Sequence, residues 1–430
     1  MDYHLIICSL IFIFAIASFC WGKLSMATTS MTSLVLLMLT GCLDASTAAA
    51  NFGNANALLM VSMGVVAAAF GKTQFVDKLA SGVGKMANGS VTKVTAGYVL
   101  MAAVLTQFIA SPTTVFAIVA PLAGATLDSL GMSRSKVMFP VALTALVCCV
   151  VLPFGSGATT FSQLNGYLEA SEYTTYAVEL LDPMKARLPL MIVCILYSIF
   201  IAPRTCPENP VVPITFMHQH NAKKEPLPRF QEISALVVFF GCTIALVFAA
   251  KLGLKPWQVT VTAALLMVLT GVLKPKEAVS VMPIWLYLLF VGALSIGSAL
   301  VQTGAGDMIG TVIAGLLGEF HNEFLIYLIL FLLPFITTQF MQNLATGPIF
   351  YPIVINACKI MGANPVGPVI AVSMAVVCAF MTPMATATVP QFMGEGGYDV
   401  RTLLKISWLP ALIFVLVSAV SLTISFPLYG

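Results

Sequence analysis

The chain has 430 residues, of which 59% are hydrophobic and only 9% charged, and its mean hydropathy is +0.98. Soluble domains carry roughly 25% charged residues, so a soluble catalytic domain is excluded and a polytopic membrane protein is expected. The net charge of +3 is spread over connecting segments, which sets aside a nucleic-acid partner, since that would need Lys and Arg clustered along one face.

The first apolar run, 5–22, reads as a membrane span, with processing as a signal peptide the minor alternative. Asp2 stands where a basic n-region belongs, and Phe19 occupies the small-residue position before a cleavage point. Further uncharged stretches long enough to span follow at 27–43, 55–71, 137–168, 188–203, 233–250, 257–273, 283–306, 360–394 and 406–430. Two more, 94–127 and 324–358, are longer and carry polar, helix-breaking tips: Ser111-Pro112-Thr113-Thr114 and Gln342-Asn343-Leu344-Ala345-Thr346-Gly347-Pro348. At 1.5 Å per residue, each fits either a kinked long helix or a hairpin that enters and leaves on one side. Of the ten cysteines, only Cys206 lies in a polar segment, so the others read as small core residues and not as a disulfide framework.

Positive charge decides between the two geometries. With both stretches as re-entrant hairpins, 15 of the 20 basic residues fall on one side of the membrane, leaving Lys185, Arg187, Lys251, Lys255 and Lys359 on the other. That bias makes the basic side cytoplasmic, with both termini outside. The longest connection, 204–232, then separates residues 1–203 from 233–430, each with five spans and one hairpin. An odd number of spans inverts the second half relative to the first.

Short matches support a repeat. Gln107-Phe108 recurs as Gln339-Phe340, Pro121 as Pro352 and Gly166-Tyr167 as Gly397-Tyr398, at separations of 232, 231 and 231 residues. Each half also holds a span interrupted by Gly, Pro and hydroxyl residues: 152–160 within 137–168, and 381–390 within 360–394. Amphipathic segments at 72–93 and 303–321 precede the hairpins. The expected fold class is therefore an all-α polytopic membrane protein of two inverted repeats, each with a re-entrant hairpin and a discontinuous helix.

Discontinuous helices at matching places in two halves point to a secondary transporter with a midplane site. Helix N-termini at the tips and breaks would hold an anion, since no Lys or Arg falls inside the apolar stretches. Freed carbonyls and nearby hydroxyls suit sodium. A proton-coupled carrier would need an ionisable side chain in the membrane, and none of the stretches holds Asp, Glu, Lys or Arg. Glu395 and Asp399 read as ordinary cytoplasmic loop charges, so Glu395→Gln is expected to leave uptake nearly intact.

These motifs resemble the ion transporter superfamily, and within it the divalent anion/sodium symporters. That family carries Ser-Asn-Thr at each hairpin tip, about ten residues before a Leu-Pro pair, which places Ser111-Pro112-Thr113 and Gln342-Asn343-Leu344 on the two motifs. Pro153-Phe154-Gly155-Ser156 and Pro383-Met384-Ala385-Thr386 are similar to its unwound segments. The resemblance implies substrate contacts from Ser111, Thr113, Ser156, Gln342, Asn343, Thr346 and Thr386. It implies sodium ligands at Ser111, Gly155, Asn343, Ala385 and Thr386. It further implies a homodimer, elevator-type alternating access, no cofactor beyond coupling sodium ions, and a multi-pass place in the bacterial inner membrane. Pro112, Gln342 and Leu344 depart from the motif, so di- or tricarboxylate, sulfate and other small anions stay open. The alternatives are an arsenite-type permease or a proton- or sodium-coupled antiporter of the same superfamily, the membrane subunit of a binding-protein-dependent carrier, a channel, or an intramembrane enzyme. The last lacks a HExxH motif or a base to pair with Ser111, Ser156 or Ser162.

Overall fold

The computed structural model describes residues 3–21, 23–75, 90–153, 155–214, 227–249, 251–318, 322–341 and 343–429, without the side chains of Cys20, Trp21, Gly155, Ser156, Val247, Leu316 and Gly318. Gln342 and parts of the 72–93, 204–232 and 303–321 segments lie outside the described residues.

Helices make up the first half in the order α1 (Tyr3–Trp21), α2 (Met26–Leu39), α3 (Ala45–Phe52), α4 (Ala55–Phe70), α5 (Val91–Phe108), α6 (Pro112–Ser129), α7 (Met138–Val147), α8 (Thr160–Ala170) and α9 (Asp182–Phe200). The second half runs α10 (Arg229–Val247), α11 (Pro256–Leu269), α12 (Pro275–Ser280), α13 (Ile284–Gln302), α14 (Ala305–Gly318), α15 (Glu323–Thr338), α16 (Asn343–Met361), α17 (Val366–Val377), α18 (Thr388–Gly396) and α19 (Val400–Ser425). Among the described residues, seven helical segments are long and apolar enough to cross a membrane. Polarity is distributed as lipid demands: Leu39 and Leu269 on the outer face are each 80% exposed, while Thr29, Ser30, Thr95, Thr260 and Ser295 are fully buried.

The order of elements recurs after about 230 residues, and so do local details. Thr40 and Thr270 end α2 and α11, returning Oγ1 to the carbonyls of Leu36 and Leu266 at 2.8 and 2.7 Å. Gly41 and Gly271 follow with φ of +72° and +74°, the left-handed region that closes a helix cheaply only with glycine. Each of these helices packs on a helix of the other half, α2 on α13 and α11 on α4. At the first crossing a Cβ on Gly292 would sit 2.5 Å from the Ser30 Cβ. At the second, the Ser62 hydroxyl donates to Thr260 Oγ1 at 2.7 Å. Small side chains let both pairs of backbones approach closely.

The two long stretches are folded back, not kinked. The Tyr98 hydroxyl near the start of α5 lies 3.1 Å from the Leu122 carbonyl and 2.6 Å from Thr126 Oγ1 near the end of α6. α15 and α16 also lie against each other. Ser111 caps α6 by accepting from the Thr114 N–H at 3.2 Å, and Pro112 occupies the first helical position, where its missing N–H costs no helical bond.

Two readings of charge need correction. Glu395 is not an ordinary loop charge: it is 7% exposed and its Oε2 accepts from Arg134 Nη1 at 3.0 Å. Arg134 Nε also donates to Asp128 Oδ1 at 3.0 Å, so the guanidinium joins the end of the first hairpin to α18. The Tyr398 hydroxyl donates to the Ser135 carbonyl and accepts from the Phe139 N–H beside them. The second correction is Arg187, which belongs to α9 and is 2% exposed. A buried Arg is therefore present after all; tertiary partners admit it where hydropathy alone excludes it.

The expectation for Glu395→Gln changes accordingly. Removing one partner of a buried pair costs about 3–5 kcal/mol, but Arg134 keeps Asp128, so a loss of roughly 2 kcal/mol is expected. Asp128→Asn should cost less, because that side chain is 56% exposed and solvent screens the pair. Equal melting temperatures for Glu395→Gln and wild type would contradict the pair's role. The Arg134 guanidinium holds the Asp128 carboxyl below its usual value. Its contribution is thus complete above about pH 4 and fades as pH falls through the lowered value.

Candidate functional site

Two helices stop inside the bundle. All ten residues of α7 are buried and it ends at Cys148; after the break a 3-10 turn, Gly155–Thr159, leads into α8. α17 ends at Cys378 and the chain resumes as α18 at Thr388. Pro153 and Pro383 help to stop the helices, and Val150 takes a left-handed φ of +48° at the first break. A Cβ on Gly157 would lie 2.1 Å from the Leu152 carbonyl oxygen, so only glycine lets this break fold back on itself.

Backbone freed at such depth must be satisfied by protein, and one buried glutamine does this at each break. Gln107 Nε2 donates to the carbonyls of Ala103 and Cys148, both at 2.8 Å, while its Oε1 accepts from the N–H groups of Val151 (3.1 Å) and Leu152 (3.0 Å). Gln339 Nε2 donates to Phe335 (2.9 Å) and Cys378 (2.8 Å), and its Oε1 accepts from Phe380 (3.2 Å) and Met381 (2.9 Å). The preceding threonines repeat the pattern, Thr106 Oγ1 donating to Ala145 O at 3.0 Å and Thr338 Oγ1 to Val376 O at 3.4 Å. Each hairpin tip is thereby fastened to the break of its own half. Gln107-Phe108 and Gln339-Phe340 stood out in the sequence as a repeat; their clamping role, which joins residues some 40 positions apart, did not.

The tips also reach across the halves. Thr113, in the first turn of α6, lies 2.9 Å by its hydroxyl from Thr388 Oγ1, the first residue of α18. Two helix N-termini therefore meet. Phe116 and Phe392 pack edge to face one turn further along, with centroids 6.4 Å apart. Thr386, just before α18, has a buried Oγ1 with no hydrogen-bond partner among the described residues, and no described side chain caps the α18 N-terminus. Ala385, the residue before Thr386, is fully buried. α16 packs likewise on α8, where the rings of Tyr351 and Tyr167 lie 4.7 Å apart.

Of the residues singled out in the sequence, Thr113, Ala385 and Thr386 come together with Thr388, which the motif comparison missed. Ser111 uses its hydroxyl oxygen on the α6 cap, accepting from Thr114 N and Thr114 Oγ1. Asn343 opens α16 and accepts from the Leu344 N–H at 2.9 Å, and Thr346 is fully buried in the same turn. Gly155 starts the 3-10 turn, and Ser156 follows it with its side chain outside the described set. Gln342 is also outside it. The nine described cysteines, Cys206 included, are buried and unpaired.

A family model described as citrate transporter matches residues 16–377. The chain belongs to the citrate transporter family. Within the ion transporter superfamily this is the coarser assignment, and the divalent anion/sodium symporter reading is narrower than the match supports. An uncharacterized transporter of Haemophilus influenzae is 25% identical over 367 residues, 80% of this chain and 76% of that protein. The YdaH transporter of Alcanivorax borkumensis has a similar fold, with a TM-score of 0.59 and 15% identity over 89% of each chain. MtrF of Neisseria gonorrhoeae, described as illuminating a class of antimetabolite efflux pumps, superimposes with a TM-score of 0.61 and 14% identity over 92% of this chain and 85% of that one. At those identities the likeness is one of fold. This citrate transporter family member is an integral, multi-pass transporter and not an enzyme.

Proposed function

We propose that the chain is a secondary transporter that couples sodium to the movement of a small di- or tricarboxylate or sulfate-like anion. The observation that carries this reading is the meeting of the α6 and α18 N-termini at Thr113 and Thr388, next to the partnerless Thr386 hydroxyl. Helix N-termini offer N–H donors and partial positive charge to an anion. Pro112 has no N–H and the Thr114 N–H is spent on Ser111, so Thr113 N is the remaining first-turn donor of α6. Thr388 and Thr386 supply hydroxyls on the other side.

Loop contacts support an inverted-repeat topology with residues 1–203 and 233–430 as the halves. Six contacts between loops and helix ends join segments expected on the same side. On the basic side Lys72 pairs with Glu277, Lys136 with Glu208 and Arg134 with Glu395. On the other, Asn54 donates to Glu169, the Tyr173 hydroxyl to Ala363 O, and Asn364 N to Leu428 O. The clamps of Gln107 and Gln339 would let hairpins and breaks travel as one body, as elevator motion against a dimeric scaffold requires. Export or exchange is the second reading, favoured by the fold shared with MtrF.

Asn343 is the test residue for the second hairpin. Asn343→Ala is expected to abolish sodium-dependent anion binding, measured by equilibrium binding to purified protein, while shifting the melting temperature of the unliganded protein by only a few degrees. Normal binding by this variant would sink the assignment of the second tip.

A further inference from the structure

Arg187 is the most completely buried charge described in the chain, and from α9 it reaches the break of the first broken helix. Its Nη2 donates to the Cys149 carbonyl at 2.6 Å and its Nη1 to the Val150 carbonyl at 3.2 Å. Both carbonyls are released where α7 stops, and Val150 holds the left-handed φ that β-branched residues avoid. Among the described residues Nε has no hydrogen-bond partner and no carboxylate lies within ion-pair distance of the guanidinium. The titratable side chains near enough to act on it electrostatically are Cys149, Cys378, Cys148 and Tyr351. Cys148 and Cys378 are the residues at which α7 and α17 end. The C-terminal end of α7 thus meets this cation through the freed carbonyls of Cys149 and Val150, and such ends carry partial negative charge.

A buried charge is retained only where it is compensated, and here backbone carbonyls and a helix end do the compensating. Those are the ligands a hard cation such as sodium takes. Complete burial keeps the guanidinium from meeting a hydrated anion directly. At the second break, among the described residues, no Lys or Arg is seen bonded to the carbonyls of 378–387; Thr382 donates to Gln339 O, and Thr386 Oγ1 stays partnerless.

We infer that Arg187 is a built-in cation that occupies, at the first broken helix, the place of a coupling sodium, so that this chain binds one sodium fewer than its two breaks would suggest. The inference rests on the sodium-coupled reading above and sets its stoichiometry. Arg187 is a positioning residue in this scheme, acting on the anion only through the charge of the break.

The test is the melting temperature of the purified full chain as a function of sodium concentration, with choline replacing sodium at constant ionic strength, for wild type, Arg187→Lys, Arg187→Gln and Arg187→Met. Stabilisation by a ligand that binds the folded state grows with the logarithm of its concentration in proportion to the number bound. The wild-type slope should correspond to one ion. Arg187→Lys should keep it, while the neutral variants should show about twice the slope and recover stability in sodium but not in choline. Neutral variants with the wild-type slope, or equally unstable in both salts, would overturn the inference and leave the coupling reading intact. A wild type indifferent to sodium would instead remove the coupling reading and this inference with it.

Discussion

Gln339→Leu is expected to destabilise the protein by roughly 3 kcal/mol or more and to abolish the response to sodium and anion together. The leucine fills the same buried space but leaves the N–H groups of Phe380 and Met381 and the Cys378 carbonyl without partners, at about 1–3 kcal/mol for each buried unsatisfied group. Part of that cost will be relieved by the break collapsing or taking up water, which is what would destroy the binding geometry. Gln339→Glu should be no milder, since it sets a carboxylate against two carbonyls that now receive N–H bonds. Gln107→Leu should behave alike, because its four bonds reproduce those of Gln339. Melting temperature and sodium-dependent ligand binding measured on the same preparations check this. A stable Gln339→Leu protein that still binds would show that the second break does not depend on its clamp.

Gly157→Ala is the second large effect. Its added methyl would stand 2.1 Å from the Leu152 carbonyl oxygen and 3.3 Å from that of Val150, and both obstacles are backbone, which cannot swing aside. The loop between α7 and α8 must open, moving the Gly155 turn by the better part of an ångström. Misplacement on that scale costs roughly 100-fold where geometry is exacting, and a comparable loss of transport rate in proteoliposomes is expected. Gly241→Ala is the control: nothing lies within 4 Å of its added methyl, and in the interior of α10 alanine is the better helix former by about 0.5–1 kcal/mol. Unimpaired transport by Gly157→Ala would mean that the first break does not need its tight fold.

Much of this architecture is written in local sequence, because the signals involved are local. Uncharged runs mark the helices, Ser111-Pro112 is a cap followed by a first-turn proline, and Thr40-Gly41 and Thr270-Gly271 close two helices alike. Gln-Phe in both halves flagged the clamps without disclosing them, since a glutamine's partners on another helix leave no trace in its neighbourhood. Charge was the weakest guide. Glu395 looked like a loop carboxylate, and Arg187 seemed to lie before a span that in fact begins at Asp182. Both are buried by partners far away in the chain, Arg134 and the carbonyls of Cys149 and Val150. The tip motifs set substrate residues at Ser111 and Thr113 alike; the Ser111 oxygen accepts from its own cap, which leaves its O–H to donate, and Thr113 turns to Thr388. The motifs mark the tip as a stretch of sequence, whereas the partners of its hydroxyls are set by the cap and by α18.

The most direct test of sodium-coupled anion transport is the thermal stability of the detergent-purified protein against citrate, succinate, malate, sulfate, lactate and taurine, each with sodium or with choline. A ligand that binds only the folded state at 100 times its Kd adds about 2.7 kcal/mol, enough for a clear shift. A rise in melting temperature with one class of anion, present in sodium and absent in choline, is the predicted result. Stabilisation that is the same in both salts, or that appears only on changing pH, would contradict it.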